Sequence, residues 1–177
     1  PKIYNTNAVR IMHFIEENPG CHLRSIKKTL NVSIGTAQYH LSILEKAGKI
    51  TSFRRGFYKF YYLSGIFENN EKDILQVFRQ ETPREMLLFV LENKNPTQTE
   101  IVNKIGISRA AINWHINRLI QLKLLEEHRI GKYKRYQVPA IHYKNITSLL
   151  KNHYPAIWNA WSNRLVDLFL SLSADRE

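Results

Sequence analysis

The chain repeats itself, and the repeat limits what it can become. Displaced by 75 residues, the segment from Arg10 to Ser64 lies on the segment from Glu85 to Pro139 without a gap. Phe14 meets Phe89, Glu17 meets Glu92, Asn18 meets Asn93, Ile26 meets Ile101, and Ser33 meets Ser108. Further on, His40 meets His115 and Leu44 meets Leu119. Arg54, Gly56, Tyr58, Lys59 and Tyr61 then meet Arg129, Gly131, Tyr133, Lys134 and Tyr136. A solenoid needs three or more copies to cover its core. Two copies imply two small domains, each with its own core, and 177 residues suffice for that.

Each copy reads as three helices and a hairpin. In the first, Ile11, Phe14 and Ile15 form a helical stripe that stops at Asn18-Pro19-Gly20. A short helix over about 23–30 has Ile26 inward, and Asn31-Val32-Ser33 turns the chain. Ser33 is placed to N-cap a third helix, which has Ile34, Ala37, Leu41 and Leu44 on one face and ends at Ala47-Gly48. Two aromatic-rich runs, 50–55 and 57–63, flank Gly56 as the arms of a β-hairpin do. The second copy follows the same course. Thr82-Pro83 is expected to supply its first N-cap, Ser108 caps its third helix, and Gly131 turns its hairpin.

The expected organisation is a first domain over 1–64, a connecting helix over 65–81, a second domain over 82–139, and a C-terminal helical segment over 140–177. The fold class is mainly α with small β-hairpins. In the C-terminal segment Ile157, Trp158, Trp161, Leu165, Leu168 and Phe169 recur every three or four residues. Such a stripe is too apolar for a solvated helix. It covers a domain core or forms a homodimer interface, and the dimer is the favoured expectation.

The net charge of +11 suggests a polyanionic partner, nucleic acid first and an anionic membrane surface second. The excess lies on the repeated units. Residues 1–64 carry ten Lys/Arg against three acids and residues 82–139 carry ten against five, whereas the connector is net acidic. Arg54, Arg55 and Lys59 flank the first hairpin turn. Arg129, Lys132, Lys134 and Arg135 flank the second. A basic hairpin beside a helix-turn-helix is the arrangement called a wing. Its cations follow phosphates or enter the minor groove while the third helix enters the major groove. Edge strands also carry Lys and Arg to block aggregation, but that explains less well the same placement twice.

The third helices carry side chains suited to reading DNA. With the apolar face inward, Gly35, Thr36, Tyr39, Ile43 and Lys46 turn outward and Gln38 lies toward the flank. Gly35 lets the backbone approach DNA, Thr36 and Tyr39 can bond phosphates or base edges, and Gln38 can pair with adenine only if the helix is rotated from this orientation. The second copy turns out Ala110, Ala111, Trp114, Arg118 and Gln121, with Arg109 and Asn113 near the edge. Arg118 suits guanine, but Trp114 is an awkward groove reader. The second unit is therefore expected to bind DNA more weakly, or mainly through its wing. His40 and His115 sit beside the inward faces, where a hydrogen bond to backbone or phosphate is expected rather than a metal.

Cys21 is the only cysteine, which excludes an intramolecular disulfide and a Cys-rich metal site and fits a reducing cytosolic compartment. The seven histidines show no ligand spacing, so no metal or other cofactor is expected. No phosphate-binding glycine loop, paired carboxylates or nucleophile motif points to an enzyme, and no small-molecule substrate is evident. No apolar stretch reaches the roughly 18 residues that span a bilayer.

Several segments are distinctive together. They are Asn18-Pro19-Gly20, Gly35-Thr36-Ala37-Gln38-Tyr39-His40-Leu41, Leu44-Glu45-Lys46-Ala47-Gly48-Lys49-Ile50, and the Arg-Arg-Gly hairpin ending in Tyr61. They resemble archaeal regulators with two helix-turn-helix domains and, more broadly, the winged helices of the ArsR and MarR groups. The resemblance covers residues 10–139 and implies a cytoplasmic transcription regulator that binds double-stranded DNA. Some such regulators carry membrane segments ahead of the tandem unit, which implies as an alternative the cytosolic part of an anchored protein. The metal-sensing cysteine pair of ArsR-type sensors is missing from the third helix, so metal sensing does not carry over. Rival readings are a non-specific architectural or RNA-binding protein and a protein-interaction scaffold.

Overall fold

In a computed structural model the backbone is described for residues 6–174 and the side chains for residues 6–167. The chain forms two compact units that divide between Leu75 and Gln76, inside the segment expected to be a separate connector. The residues expected to form a C-terminal segment of their own belong to the second unit.

Unit 1 begins with α1 (Thr6–Glu17), β1 (Cys21–His22), α2 (Leu23–Leu30) and α3 (Ile34–Lys46), followed by β2 (Ile50–Arg55) and β3 (Tyr58–Leu63). Ile11 and Ile15 of α1, Ile26 of α2, and Ala37, Leu41 and Leu44 of α3 bury together with Cys21, Ile50 and Tyr61. The inward stripes read from the sequence thus close one core. Ile34 departs from expectation and is 50% exposed. It is the first residue of α3, where the helix has only begun to turn toward the core. His22 caps α2 by accepting a hydrogen bond at Nδ1 from the Ser25 amide at 3.1 Å, and Ser25 Oγ reaches back to the His22 backbone. Ser33 caps α3 as expected, accepting from the Thr36 amide at 3.1 Å.

The hairpin is antiparallel, with Arg55 opposite Tyr58 and Ile50 opposite Leu63, and β1 adds to the other side of β3 in the order β1-β3-β2. Two residues make the turn. The first is Gly56 at φ +60°, the position where a two-residue hairpin requires glycine.

The helix α4 (Asn69–Phe78) crosses the division, and Ile74, Leu75, Val77 and Phe78 are all buried. Unit 2 then repeats unit 1 at the same displacement, through α5 (Glu81–Glu92), α6 (Gln98–Ile105), α7 (Arg109–Gln121), β4 (Glu126–Ile130) and β5 (Tyr133–Gln137). The short β1 survives as a single bridge between Thr97 and Arg135, equivalent to His22 with Phe60. The left-handed residue that closes α2 is Asn31 (φ +52°), and the one that closes α6 is Gly106 (φ +78°). Both types tolerate this region, which the tight turn between the two helices needs.

The expected N-cap at Thr82 is not formed. The helix begins earlier, at Glu81, its N-cap is Gln80 without a side-chain bond, and Thr82-Pro83 fall inside the first turn. Proline still fits there, because first-turn amides have no partner within the helix. The strong cap of unit 2 is a capping box of Thr97 and Glu100, and its hydrogen bonds hold the Glu100 carboxyl below its usual pKa.

A 3-10 turn (Ala140–His142), α8 (Tyr143–His153) and α9 (Pro155–Ala174) complete unit 2. Ile146, Leu149 and Leu150 are buried, and the Tyr154 ring meets Phe78 edge-on with centroids 5.7 Å apart. Among the described residues, no helix is long and apolar enough to cross a membrane.

Candidate nucleic-acid interface

The α3 helix of unit 1 presents an exposed face of mixed polar and aromatic side chains. Gly35, Gln38, Tyr39 and Lys46 are exposed and Thr36 is half-buried, with its hydroxyl 2.8 Å from that of Ser33. Gln38, expected at the flank, is thus as open as the outward set. A Cβ added at Gly35 would meet nothing within 4 Å, so the backbone there is bare to solvent. Tyr39 is 64% exposed and is braced edge-to-face on His40 at 5.2 Å. His40 is itself buried at 5%.

The first wing carries less available charge than its sequence suggests. Lys59 Nζ donates to Glu45 Oε2 at 2.8 Å, and Ser52 donates to the other oxygen of the same carboxylate. Burial alone would raise the Glu45 pKa, but these bonds and the Lys59 charge hold it below the usual value. Arg55 donates to Asp73 Oδ1 at 2.5 Å, with its guanidinium over the Phe53 ring. Lys59 and Arg55 therefore tie the wing to α3 and α4 respectively. Arg54 is exposed, with no carboxylate in ion-pairing range among the described residues.

Unit 2 holds cations on both its wing and its third helix. Lys134 pairs with Glu127 at 3.0 Å, and Arg135 donates to the Asn95 carbonyl at 2.8 Å and lies 4.0 Å from Glu100. Arg129 and Lys132 remain exposed, Lys132 above the Tyr133 ring. On α7, Arg109 donates to Gln98 and Thr99, and Arg118 donates to Gln80 at 2.9 Å with its guanidinium over Trp114. To read guanine, Arg118 must leave these partners. Trp114 is 59% exposed and meets His115 edge-to-face at 4.9 Å, as Tyr39 meets His40. Burial, and secondarily the Arg118 charge, push the His115 pKa down, which keeps the ring neutral near pH 7. Asn113 is exposed on the same helix, and Ser108 caps it by accepting from the Ala111 amide.

Three cations were missed by sequence reasoning. Arg24, Lys27 and Lys28 are exposed on α2, the helix that crosses the DNA backbone in a helix-turn-helix. The repeat already contained the signal, because the equivalent positions of unit 2 are Thr99, Val102 and Asn103. Among the described residues, no group of three His, Cys, Asp or Glu side chains could hold a metal ion.

The expected dimerisation residues separate. Trp161 is buried within its own chain at 6% exposure and is therefore a core residue of unit 2. An apolar stripe records that a helix face is covered, and its spacing is the same whether the cover comes from the same chain or from another. Ile157, Trp158 and Leu165 are half-buried. The side chains of Leu168 and Phe169 lie outside the described residues.

Two families match the chain in succession. One described as an N-terminal HTH domain matches residues 5–75, and one described as winged helix-turn-helix DNA-binding matches residues 79–126. The chain is a tandem helix-turn-helix protein. It is 28% identical over 138 residues to an HTH-type transcriptional regulator of the archaeon Methanocaldococcus jannaschii. The match covers 77% of this chain but 34% of that protein, so the chain spans about a third of its relative's length. Among solved structures, an ArsR family transcriptional regulator is similar over 52% of this chain and 94% of its own, with 15% identity and a TM-score of 0.39. Lactococcus lactis ZitR in complex with DNA is similar over 78% and 92%, with 14% identity and a TM-score of 0.36. A possible HxlR family transcriptional factor of Thermoplasma volcanium is similar over 63% and 98%, with 18% identity and a TM-score of 0.38.

Proposed function

We propose that this tandem helix-turn-helix protein is a sequence-specific transcription regulator that binds duplex DNA chiefly through unit 1. The observation that carries this reading is the asymmetry of the repeat. The α3 helix offers an open backbone at Gly35 with Gln38, Tyr39 and Lys46 exposed around it, whereas both arginines of α7 are held by neighbouring side chains. Arg24, Lys27 and Lys28 of α2 and Arg54 of the wing supply phosphate contacts. Unit 2 contributes through Arg129 and Lys132. Its Trp114 face suits a protein partner as well as a groove. Two such chains form a homodimer through the Ile157, Trp158 and Leu165 side of α9, and the chain acts by binding in the cytoplasm rather than by catalysis.

The test is a selection of the purified chain on random duplex DNA at near-physiological salt. An enriched motif is expected, and two half-sites spaced by a helical turn are expected from the dimer. Retention without enrichment would replace sequence-specific regulation with architectural binding. Failure to retain any duplex would overturn the DNA reading and favour RNA or a protein partner.

Gly35 gives a sharper test of which surface meets the DNA. Gly35→Ala removes backbone freedom from the unfolded chain and meets no neighbour in the fold, so it is expected to raise stability by up to about 1 kcal/mol. The same methyl holds DNA away from the helix, so affinity is expected to fall while the melting temperature rises. Unchanged duplex affinity in a more stable variant would place the α3 backbone away from DNA.

A further inference from the structure

The turn of the first wing ends in a side chain that charge-based binding does not need. Phe57 is 99% exposed at the tip of the hairpin, where turn residues are ordinarily polar. Single exposed apolar residues are common on protein surfaces, so exposure alone says little. The surroundings of this one say more. Arg54 lies on the adjoining strand, exposed and without an ion-pair partner among the described residues. The hairpin is clamped just below its turn on two sides, by the Lys59–Glu45 pair to α3 and the Arg55–Asp73 pair to α4. The wing is therefore stiff, cationic and tipped with an aromatic ring. In the duplicate the equivalent residue is Lys132, so the apolar tip is particular to unit 1.

Proteins that enter the minor groove combine cations with an apolar wedge that parts a base step and kinks the duplex. A wedge must be held against the restoring force of the stack, and the two ion pairs provide that support. We infer that Phe57 inserts into the minor groove as such a wedge, with Arg54 on the flanking phosphates, so that unit 1 bends the DNA it binds while the Lys132 wing of unit 2 follows the backbone. This inference rests on the reading that the chain binds duplex DNA.

The experiment measures energy transfer between dyes on the two ends of a mixed-sequence duplex of roughly 30 base pairs, using the full chain at saturation. The wild-type chain is expected to shorten the end-to-end distance by the amount of a kink of about 20–90°. Phe57→Ala and Phe57→Lys are expected to bind and leave the duplex nearly straight, and Phe57→Leu, which keeps an apolar wedge, to retain most of the bend. The side chain is fully in solvent, so these variants fold as the parent does. An equal bend from Phe57→Ala, or bound but straight DNA with the wild-type chain, would overturn the wedge and leave DNA binding intact. Absence of any binding by the wild-type chain would remove both.

Discussion

Raising the salt from about 50 to 200 mM will lower the affinity of this chain for duplex DNA by about three powers of ten. The figure follows from counting the cations that remain available. Arg24, Lys27, Lys28, Lys46 and Arg54 in unit 1, with Arg129 and Lys132 in unit 2, are exposed without ion-pair partners among the described residues. About six of them in contact with phosphates give a slope of log affinity against log salt near −5, since each contact releases close to one condensed counterion. The wing variants separate the available charge from the committed charge. Arg54→Ala is expected to lower affinity for every duplex and to flatten the slope by about one. Arg55→Ala is expected to leave the slope unchanged, because its charge is already neutralised by Asp73. The measurement is a salt titration of binding for the two variants beside the parent. If Arg55→Ala flattened the slope as much as Arg54→Ala, the Asp73 pair would be broken in the complex. The wing would then lose the support proposed for Phe57.

The same contrast shows how far the sequence could be read. A displacement of 75 residues was enough to place α1 on α5, α2 on α6 and α3 on α7, because a repeated pattern of core residues needs a repeated packing. The expected N-caps at Ser33 and Ser108 are formed, since each depends on one side chain and an amide three residues away. Features that depend on distant partners could not be read. Charge counts place Arg55, Lys59, Lys134 and Arg135 on the wings, but their partners include Asp73 and Glu45 in unit 1 and Asn95 in unit 2, which only the fold brings near. The acid that holds the wing lysine even changes element between copies, from Glu45 on α3 to Glu127 on β4. Trp161 has the same difficulty, because helical spacing does not say what covers a face. The division at Leu75 falls inside a helix that the repeat does not include, whereas α5 starts where α1 does, 75 residues on.

Removing one buried leucine from each unit will separate their roles. Leu44 and Leu119 are equivalent in the repeat, and each is at most 1% exposed on its recognition helix. Leu44 packs in a cluster with Ile11, Ile15, Ile26, Leu41 and Ile50, so its loss leaves a cavity among residues that cannot all relax into it. Leu→Ala at such a site costs about 2–5 kcal/mol. A domain of this size holds roughly 5–15 kcal/mol in all, and each kcal/mol moves its melting temperature by about 4–8 °C. Leu44→Ala is therefore expected to lower the unfolding temperature of unit 1 by about 10–30 °C, with a comparable fall in unit 2 for Leu119→Ala, both read by calorimetry. Binding will not follow this symmetry. Well above the melting temperature of the weakened unit and below that of the parent, Leu44→Ala is expected to abolish duplex binding, because α3 and the Arg54 wing are lost with their core. Leu119→Ala, compared in the same way, is expected to weaken it by about 10–100-fold at about 0.1 M salt, because one or two phosphate contacts from Arg129 and Lys132, each releasing close to one counterion, are lost with unit 2. Equal losses from the two variants would mean that α7 reads DNA as fully as α3. Arg109 and Arg118 would then have to exchange Gln98, Thr99 and Gln80 for bases when the complex forms.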